Sequence, residues 1–459
     1  MASGPSMSFQ SFEAAMNRRH TAPDVASADA PVKKKKKLRL SERVGTASKQ
    51  PIGSAASSSS GLPSRANAEH TELDAEDAVA NGEPTAETEG RLWTVSIALP
   101  GSIVDNAQTH ELRSQLVGQV ARACAIFNVD EIVVFKTEGD TKPPNAGGGG
   151  DGDGFDSAHP FKDKKRVTPS SIFMARLLQY LECPQYLRKH IFPVHPDLRS
   201  VGLIAPLDAP HHLRIDEPSD YREAVVVPAG SIGSRDAASS TVAAAQALED
   251  GGGDDDEGGD NGDGSGSSSA FTGLRKEMKI NHSLPVGTRV TLKMPNAQSR
   301  NARQATVVPP KEPRELAGKY WGFEVRVASS LAEVWSGCPH EDGYDLAIGT
   351  SEHGTPSLHA PPIVAGDAAA FALRPFRHVL IVFGGVEGLE PAVSGDDSLC
   401  EVEDNIASLF DHYLNLCPDQ GSRTIRTEEA LLVGLSSLKP LLEAAGGEGQ
   451  AGGFEMIPK

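Results

Sequence analysis

The chain has 459 residues, enough for two or three domains, and a formal net charge of −18. Two tracts, Glu69–Glu89 and Glu249–Asp263, each hold eight acids and no Lys or Arg, so the remainder is near neutral and keeps room for a local basic face. The five cysteines, at 124, 183, 338, 400 and 417, form no CxxC pair and argue against a zinc site or a disulfide framework. No apolar run reaches membrane-spanning length, and the N-terminus has no signal-peptide core.

Residues 1–90 are rich in Ser, Ala and charge, with little to bury, and read as a disordered basic and acidic tail. Lys33–Lys37, followed by Leu38-Arg39-Leu40, reads as a nuclear or nucleolar localisation signal or as a solvated basic tail. Leu92–Leu99 alternates like a strand and stops at Pro100-Gly101-Ser102. Asp105-Asn106 then has turn chemistry. Glu111–Phe127 has helical spacing, with Leu112, Leu116, Val120, Cys124 and Phe127 on one face and Arg113 and Arg122 off it. Glu131–Phe135 is the next strand, and this β-α-β start predicts a parallel sheet.

Residues 141–165 form a Gly- and Lys-containing loop, and Ser170–Phe192 is helical with a break at Pro184. Gly202–Pro206 suits a short strand. The following His211-His212 pair invites a metal, but adjacent side chains on an extended segment point opposite ways. A structural or RNA-contacting role for His211, His212 and Arg214 fits better, and no metal is expected.

Between Arg222 and Ala328 helical periodicity vanishes. Five strand-like pieces, Arg222–Val227, Glu277–Ile280, Thr288–Met294, Gln304–Val308 and Tyr320–Val327, suit a small OB-type barrel. The tract 230–269 cannot pack a core and reads as an acidic linker inside it. Arg289, Lys293, Arg303, Lys319 and Arg326, with Tyr320, Trp321 and Phe323, are the mix that single-stranded RNA favours; they also fit an ordinary barrel with solvated cations and core aromatics.

Three strand- or turn-to-loop junctions follow. YDLAIGTSEHG (344–354) runs into Gly349-Thr350-Ser351, and HVLIVFGGVEGLE (378–390) into Gly384-Gly385. LCPDQGSRTIRTEEA (416–430) is a polar turn entering a helix, with Thr427 as N-cap, acids Glu428 and Glu429 in the first turn, and a buried Leu stripe from Leu431 to Leu442. Taken alone, that loop is a capped turn or an anion-accepting helix start. Three such ends side by side would make a pocket built mainly of backbone. The Gly-rich tail beyond Ala445 is expected to fray.

Together with VSIALPGSIVDNAQTHELRSQLVGQVARACAIFNVDEIVVF, FMARLLQYLECPQYLRKHIFP and GLIAPLDAPHHLR, these motifs resemble the SPOUT (α/β-knot) RNA methyltransferases, in the eukaryotic and archaeal branch with an OB-like insertion. The resemblance spans Leu92 to about Pro440. It implies an α/β fold with a trefoil knot, S-adenosylmethionine as cofactor, RNA as partner and a homodimer. The expected layout is a tail (1–90), the first part of the knot domain (91–221), the barrel insertion (222–328), the second part of the knot domain (329–445) and a disordered tail (446–459).

Carried over, the cofactor loops are Thr350 and Ser351, then Gly384, Gly385 and Leu389, then Leu416, Pro418, Gly421, Ser422, Thr424, Ile425 and Thr427. Arg426 and Glu428 are the candidate catalytic pair: Arg426 to hold RNA phosphate or an anionic base, Glu428 to orient the nucleophile, act as base or merely offset the helix dipole. Asn106, Arg113, His211, His212, Arg214, Arg289, Lys293, Trp321 and Arg326 are the candidate RNA contacts. The final loop lacks the Asn-rich signature of the ribose-methylating branch. A base nitrogen, uridine N3 of ribosomal RNA, is the expected target. The alternative is a non-catalytic RNA-binding or scaffold protein with a decayed knot domain. A NAD-dependent Rossmann enzyme fits poorly, because no GxGxxG follows an early strand.

Overall fold

The computed structural model describes residues 90–137, 168–230, 268–296, 303–355 and 371–451. The expected N-terminal tail, the loop at 141–165, nearly all of the acidic linker and the last eight residues lie outside the described residues.

Six parallel strands form the centre. They are β1 (Thr94–Pro100), β2 (Glu131–Phe135), β8 (Glu324–Ala328), β9 (Leu346–Thr355), β10 (His378–Val382) and β11 (His412–Leu414), ordered β11-β9-β10-β1-β2-β8. Every residue of β1 and β2 is buried, as expected where helices cover both faces of a parallel sheet. The period of two divides the side chains between two cores. Ile97, Leu99, Ile132 and Val134 pack under α1 (His110–Ile126), α2 (Ser170–Glu182) and α7 (Thr427–Ala451). Ala98, Val133 and Phe135 pack under α5 (Leu331–Ser336) and α6 (Glu390–Ser394). Leu112 is half exposed, so the apolar stripe of α1 begins at Leu116. Two short helices, α3 (Arg188–Ile191) and α4 (Glu312–Ala317), lead into and out of the barrel.

That barrel is closed, with strand order β3-β4-β5-β7-β6: β3 (Tyr221–Val227), β4 (Ser268–Phe271), β5 (Met278–Ile280), β6 (Arg289–Lys293) and β7 (Gln304–Val308). Its membership corrects one sequence expectation. The expected fifth barrel strand, Tyr320–Val327, instead supplies β8, the outer strand of the parallel sheet beside β2. The missing barrel strand is β4, at the end of the low-complexity tract. Its sequence, SSAF, has too little β-branched content to stand out. Once β3 and β5 flank it, Ala270 becomes fully buried.

Two further expectations change. Gly202–Pro206 contains no strand; Val201–Leu203 is a 3-10 turn. The C-terminal helix does not stop at Ala445 but continues to Ala451. Its small residues let it close on the start of the sheet, where a Cβ on Gly446 would lie 2.5 Å from the Trp93 ring. Gln450 completes the dock, accepting from the Leu92 N–H at 3.1 Å and donating to the Gly90 carbonyl at 2.7 Å.

The barrel and the candidate loops occupy opposite edges of the sheet. Chain entry to β8, through Tyr320 Oη donating to the Val129 carbonyl (3.0 Å), lies at the N-terminal edge. So does Arg314, which donates to the carbonyls of Arg91, Leu92 and Trp93 ahead of β1. The loops after β9, β10 and β11 all leave from the C-terminal edge.

Candidate functional site

At that C-terminal edge the three expected loops are tied together by named hydrogen bonds. Thr350 Oγ1 donates to the Val382 carbonyl at 3.0 Å, joining the first loop to the second. Thr427 Oγ1 donates to the Gly384 carbonyl at 3.0 Å, joining the second to the third. Asn415 closes the set: its N–H donates to the Thr355 carbonyl (3.1 Å) and its Nδ2 to the Glu352 carbonyl (2.9 Å), while its Oδ1 accepts from Cys417 N–H (3.0 Å). Sequence reasoning passed over Asn415. Its one legible trace was the Asx-turn chemistry of an Asn two residues before Cys417.

The glycines differ in what they do. Gly385 and Gly388 exchange backbone hydrogen bonds, and Gly388 has φ +80°. A Cβ on Gly384 would lie 2.5 Å from the Gly388 backbone, so position 384 tolerates no side chain. Leu389 is buried beneath it. Gly421, by contrast, has open space where its Cβ would be, and its φ is not positive; Asp419, at φ 57°, makes the left-handed step of that loop. Pro418 is partly exposed, while Leu416 is buried against Gly434. Ser422 Oγ donates to the Thr424 carbonyl at 2.8 Å, and Ile425 is half-buried. The backbone N–H groups of Gly421, Ser422 and Thr424 make no hydrogen bond to another described residue. Such exposed donors fit a ligand with a carboxylate or heteroaromatic edge.

The helix start also differs from expectation. Arg426, not Thr427, is the N-cap: its carbonyl accepts from Glu429 and Ala430, and Glu429 Oε2 accepts from its N–H at 3.0 Å. That is the glutamate half of a capping box. Thr427 is therefore free to reach across to Gly384. The side chain of Arg426 is exposed and that of Glu428 half-exposed, both at this edge.

The expected RNA contacts scatter. Asn106 is exposed at the same edge as the loops. Arg113 is nearby, but it donates to Asp105 Oδ1 (3.0 Å), which also accepts from Ser170 Oγ (2.7 Å). Away from the loops, five of the expected contacts are structural instead. Arg289 is buried between Glu182 Oε2 (2.7 Å) and Glu223 Oε2 (2.5 Å). Burial opposes its charge, but the two carboxylates outweigh burial and hold its pKa well above the ordinary value. Trp321 is buried and donates from Nε1 to Glu223 Oε1 at 2.7 Å. Arg326 is bonded to Glu131 (3.0 Å), to Tyr344 Oη (3.1 Å) and to the Glu333 and Val334 carbonyls. His211 is fully buried.

The two histidines do not point apart. Nε2 of His211 and Nε2 of His212 both meet the Glu182 carbonyl, at 2.9 and 2.7 Å, and the rings sit 4.4 Å apart. They cap the C-terminus of α2, aided by Arg188, which donates to the Leu181 and Cys183 carbonyls. Burial and the neighbouring His211 push the His212 pKa down to about 3, so it is neutral near pH 7. Lys293 is half exposed but paired with Glu312 at 3.0 Å, and Arg214 is exposed.

Comparison with known proteins places the chain in a family. Residues 94–438 match the family model described as "Putative RNA methyltransferase". The chain is 44% identical over 361 residues to the 28S rRNA (uridine-N(3))-methyltransferase of Mus musculus, covering 78% of this chain and 79% of that one. It is 43% identical to the Homo sapiens protein of the same name, covering 78% and 81%. Identity to the Drosophila melanogaster protein of that name is 40%, covering 80% and 66%. The matched span runs from β1 into α7 and includes all three tied loops, and the chain belongs to this RNA methyltransferase family.

Proposed function

We propose that the protein is an S-adenosylmethionine-dependent methyltransferase acting on uridine N3 of large-subunit ribosomal RNA. The observation that carries this reading is the closed tie of the three C-terminal-edge loops by Thr350, Asn415 and Thr427. The names of the mouse, human and fly relatives supply the substrate and the target atom.

Bound S-adenosylmethionine supplies an electrophilic methyl group on a sulfonium centre. The protein's task is positioning, with the acceptor held in line and water kept out. Gly384, Gly385 and the 416–427 loop hold the cofactor through backbone groups, and Leu389 and Leu416 supply apolar walls. Uridine N3 must lose its proton to become a nucleophile. We assign that proton to Glu428, and stabilisation of the resulting anion to the exposed Arg426 guanidinium. The target base must leave its stack to reach this edge.

We further read the C-terminal region as a trefoil knot and the protein as a homodimer. Support for the dimer comes from Val386 on the glycine loop and Leu432 on α7, which are 56% and 47% exposed and give the dimer an apolar contact. Lys33–Lys37 supports a nuclear location. The rival reading, a scaffold with a decayed site, is disfavoured because the ties between the loops are intact. Titration with S-adenosylmethionine, followed by transfer of labelled methyl to rRNA and mapping of the modified base, tests the proposal. Absence of both binding and transfer would leave the scaffold.

A further inference from the structure

A cleft of about 490 Å³ opens where the barrel meets the end of α2, lined by Gln185, Tyr186, Asp208, His212, Arg214 and Gly273 among others. That volume suits a small organic ligand such as a nucleotide. Its walls are fixed. Tyr186 Oη donates to the Glu223 carbonyl at 3.0 Å, and His212 is held by the Glu182 carbonyl. Gly273 has φ +77°, and a Cβ there would lie 2.6 Å from the Tyr186 ring, so the barrel turn meets the aromatic only as glycine.

Three of its polar side chains are uncommitted. The side chains of Gln185, Asp208 and Arg214 have no hydrogen-bond or ion-pair partner among the described residues. Arg275 and Lys276, exposed on the turn that begins at Gly273, are likewise unpaired among the described residues. Cations beside an aromatic, a neutral imidazole, an amide and one carboxylate match a nucleotide. The cations suit phosphate; Asp208 and Gln185 suit ribose hydroxyls and base amino groups. An acidic peptide would satisfy the cations but would meet Asp208 with like charge.

The cleft lies at the opposite end of α2 from the cofactor loops. Ser170, at the start of α2, bonds Asp105 in the loop after β1, whereas Glu182, at its end, holds the histidines. Thirteen residues at about 1.5 Å each put the two places about 20 Å apart. We infer that this cleft is a second RNA subsite, taking a nucleotide of the substrate strand away from the methylated base. The inference rests on the RNA methyltransferase reading and adds a residue-level location for substrate hold. With stacked nucleotides about 3.4 Å apart, the held nucleotide is roughly six from the target uridine.

The test uses the full chain, single-stranded RNA of about twenty nucleotides carrying photoreactive 4-thiouridine at varied positions, and rRNA with labelled S-adenosylmethionine. Crosslinks are expected in the peptides holding Tyr186 and His212. Arg214→Glu should weaken RNA binding about tenfold and lower the salt slope of log affinity by about 1. It should also raise KM for RNA. Absence of crosslinks from this cleft, or unchanged affinity and salt slope in folded Arg214→Glu, overturns the subsite. Methyl transfer by wild type alongside that result leaves the enzyme reading standing. Cleft crosslinks without any transfer would support the subsite and sink the enzyme reading.

Discussion

Thr427 donates its hydroxyl proton to the Gly384 carbonyl at 3.0 Å, across 43 residues of chain. The contact pins the first turn of the last helix to the glycine turn after β10, and the intervening loop is thereby held over the sheet edge. Thr427 is buried and Gly384 half-buried, so the bond is partly shielded from water. Thr427→Val keeps the shape and removes the donor. Leaving such a carbonyl unpaired costs about 1–3 kcal/mol. S-adenosylmethionine affinity is expected to fall about tenfold, with a Tm drop of a few degrees; calorimetric titration and thermal melts check both.

The glycines separate fold from binding. Gly384→Ala forces a Cβ against the Gly388 backbone, so it should lower both stability and cofactor affinity. Gly421→Val meets open space in the protein and requires no positive φ, so it should melt like wild type. If the cofactor lies over this loop, its affinity should nonetheless fall about tenfold or more. Undiminished binding by Gly421→Val would move the cofactor away from this loop.

Arg289 sorts structure from recognition on the barrel side. It is buried between two carboxylates, so Arg289→Ala leaves Glu182 and Glu223 uncompensated and should destabilise by about 3–5 kcal/mol. Lys293→Ala removes one half-exposed partner of Glu312 and should cost less than about 1 kcal/mol. Denaturant melts of the two variants decide this; equal stabilities would contradict the buried network.

These contrasts show where sequence was legible. Strands such as Glu131–Phe135 were readable because continuous apolar runs bounded by turn residues belong to a buried parallel sheet. The three loops were readable because Gly, Ser and Thr at strand ends have local chemistry. The burial of Arg289 and Trp321 was not. Their partners, Glu182 and Glu223, lie up to 107 residues away in the chain, and a cation beside an aromatic looks the same on a surface or in a core. The opposite-edge placement of barrel and loops was hidden for a related reason: β8 looked like another barrel strand until its parallel pairing with β2 was seen. Asn415 was invisible as a positioning residue because two of its hydrogen bonds reach across to another loop.

Two histidines set a pH limit on stability. Burial and neighbouring charge push both His212 and His378 down to about 3 from the ordinary 6.5. His378 stacks on His340 with ring centroids 3.5 Å apart, and its Nδ1 meets Thr94 Oγ1 at 2.8 Å. The folded protein thus binds fewer protons than the unfolded chain between about pH 3 and 6.5. Stability is fully present above 6.5 and is lost as pH falls through that window. At pH 5 each histidine should have lost about 1 kcal/mol after allowance for its partial solvent access. Tm should fall from pH 7 to pH 5, and His378→Gln should flatten the slope. A wild-type Tm that does not fall over that range would contradict the neutral pair.

Arg426 and Glu428 carry the chemical prediction. Arg426 contributes its backbone to the helix cap, through its carbonyl and N–H, and its side chain makes no contact that the cap needs. Arg426→Ala should therefore fold normally and keep its cofactor affinity. If the guanidinium stabilises the uridine anion, kcat should fall on the order of 10²–10³-fold. Glu428→Gln keeps the shape and removes the base, so its loss should ease as pH rises towards the intrinsic deprotonation of uridine N3, while that of Arg426→Ala should persist. A pH profile of labelled methyl transfer to rRNA for the two variants separates the roles. Wild-type rates in Arg426→Ala would remove it from the mechanism. A loss in Glu428→Gln that does not vary with pH would leave that carboxylate only its electrostatic place in the first turn of α7.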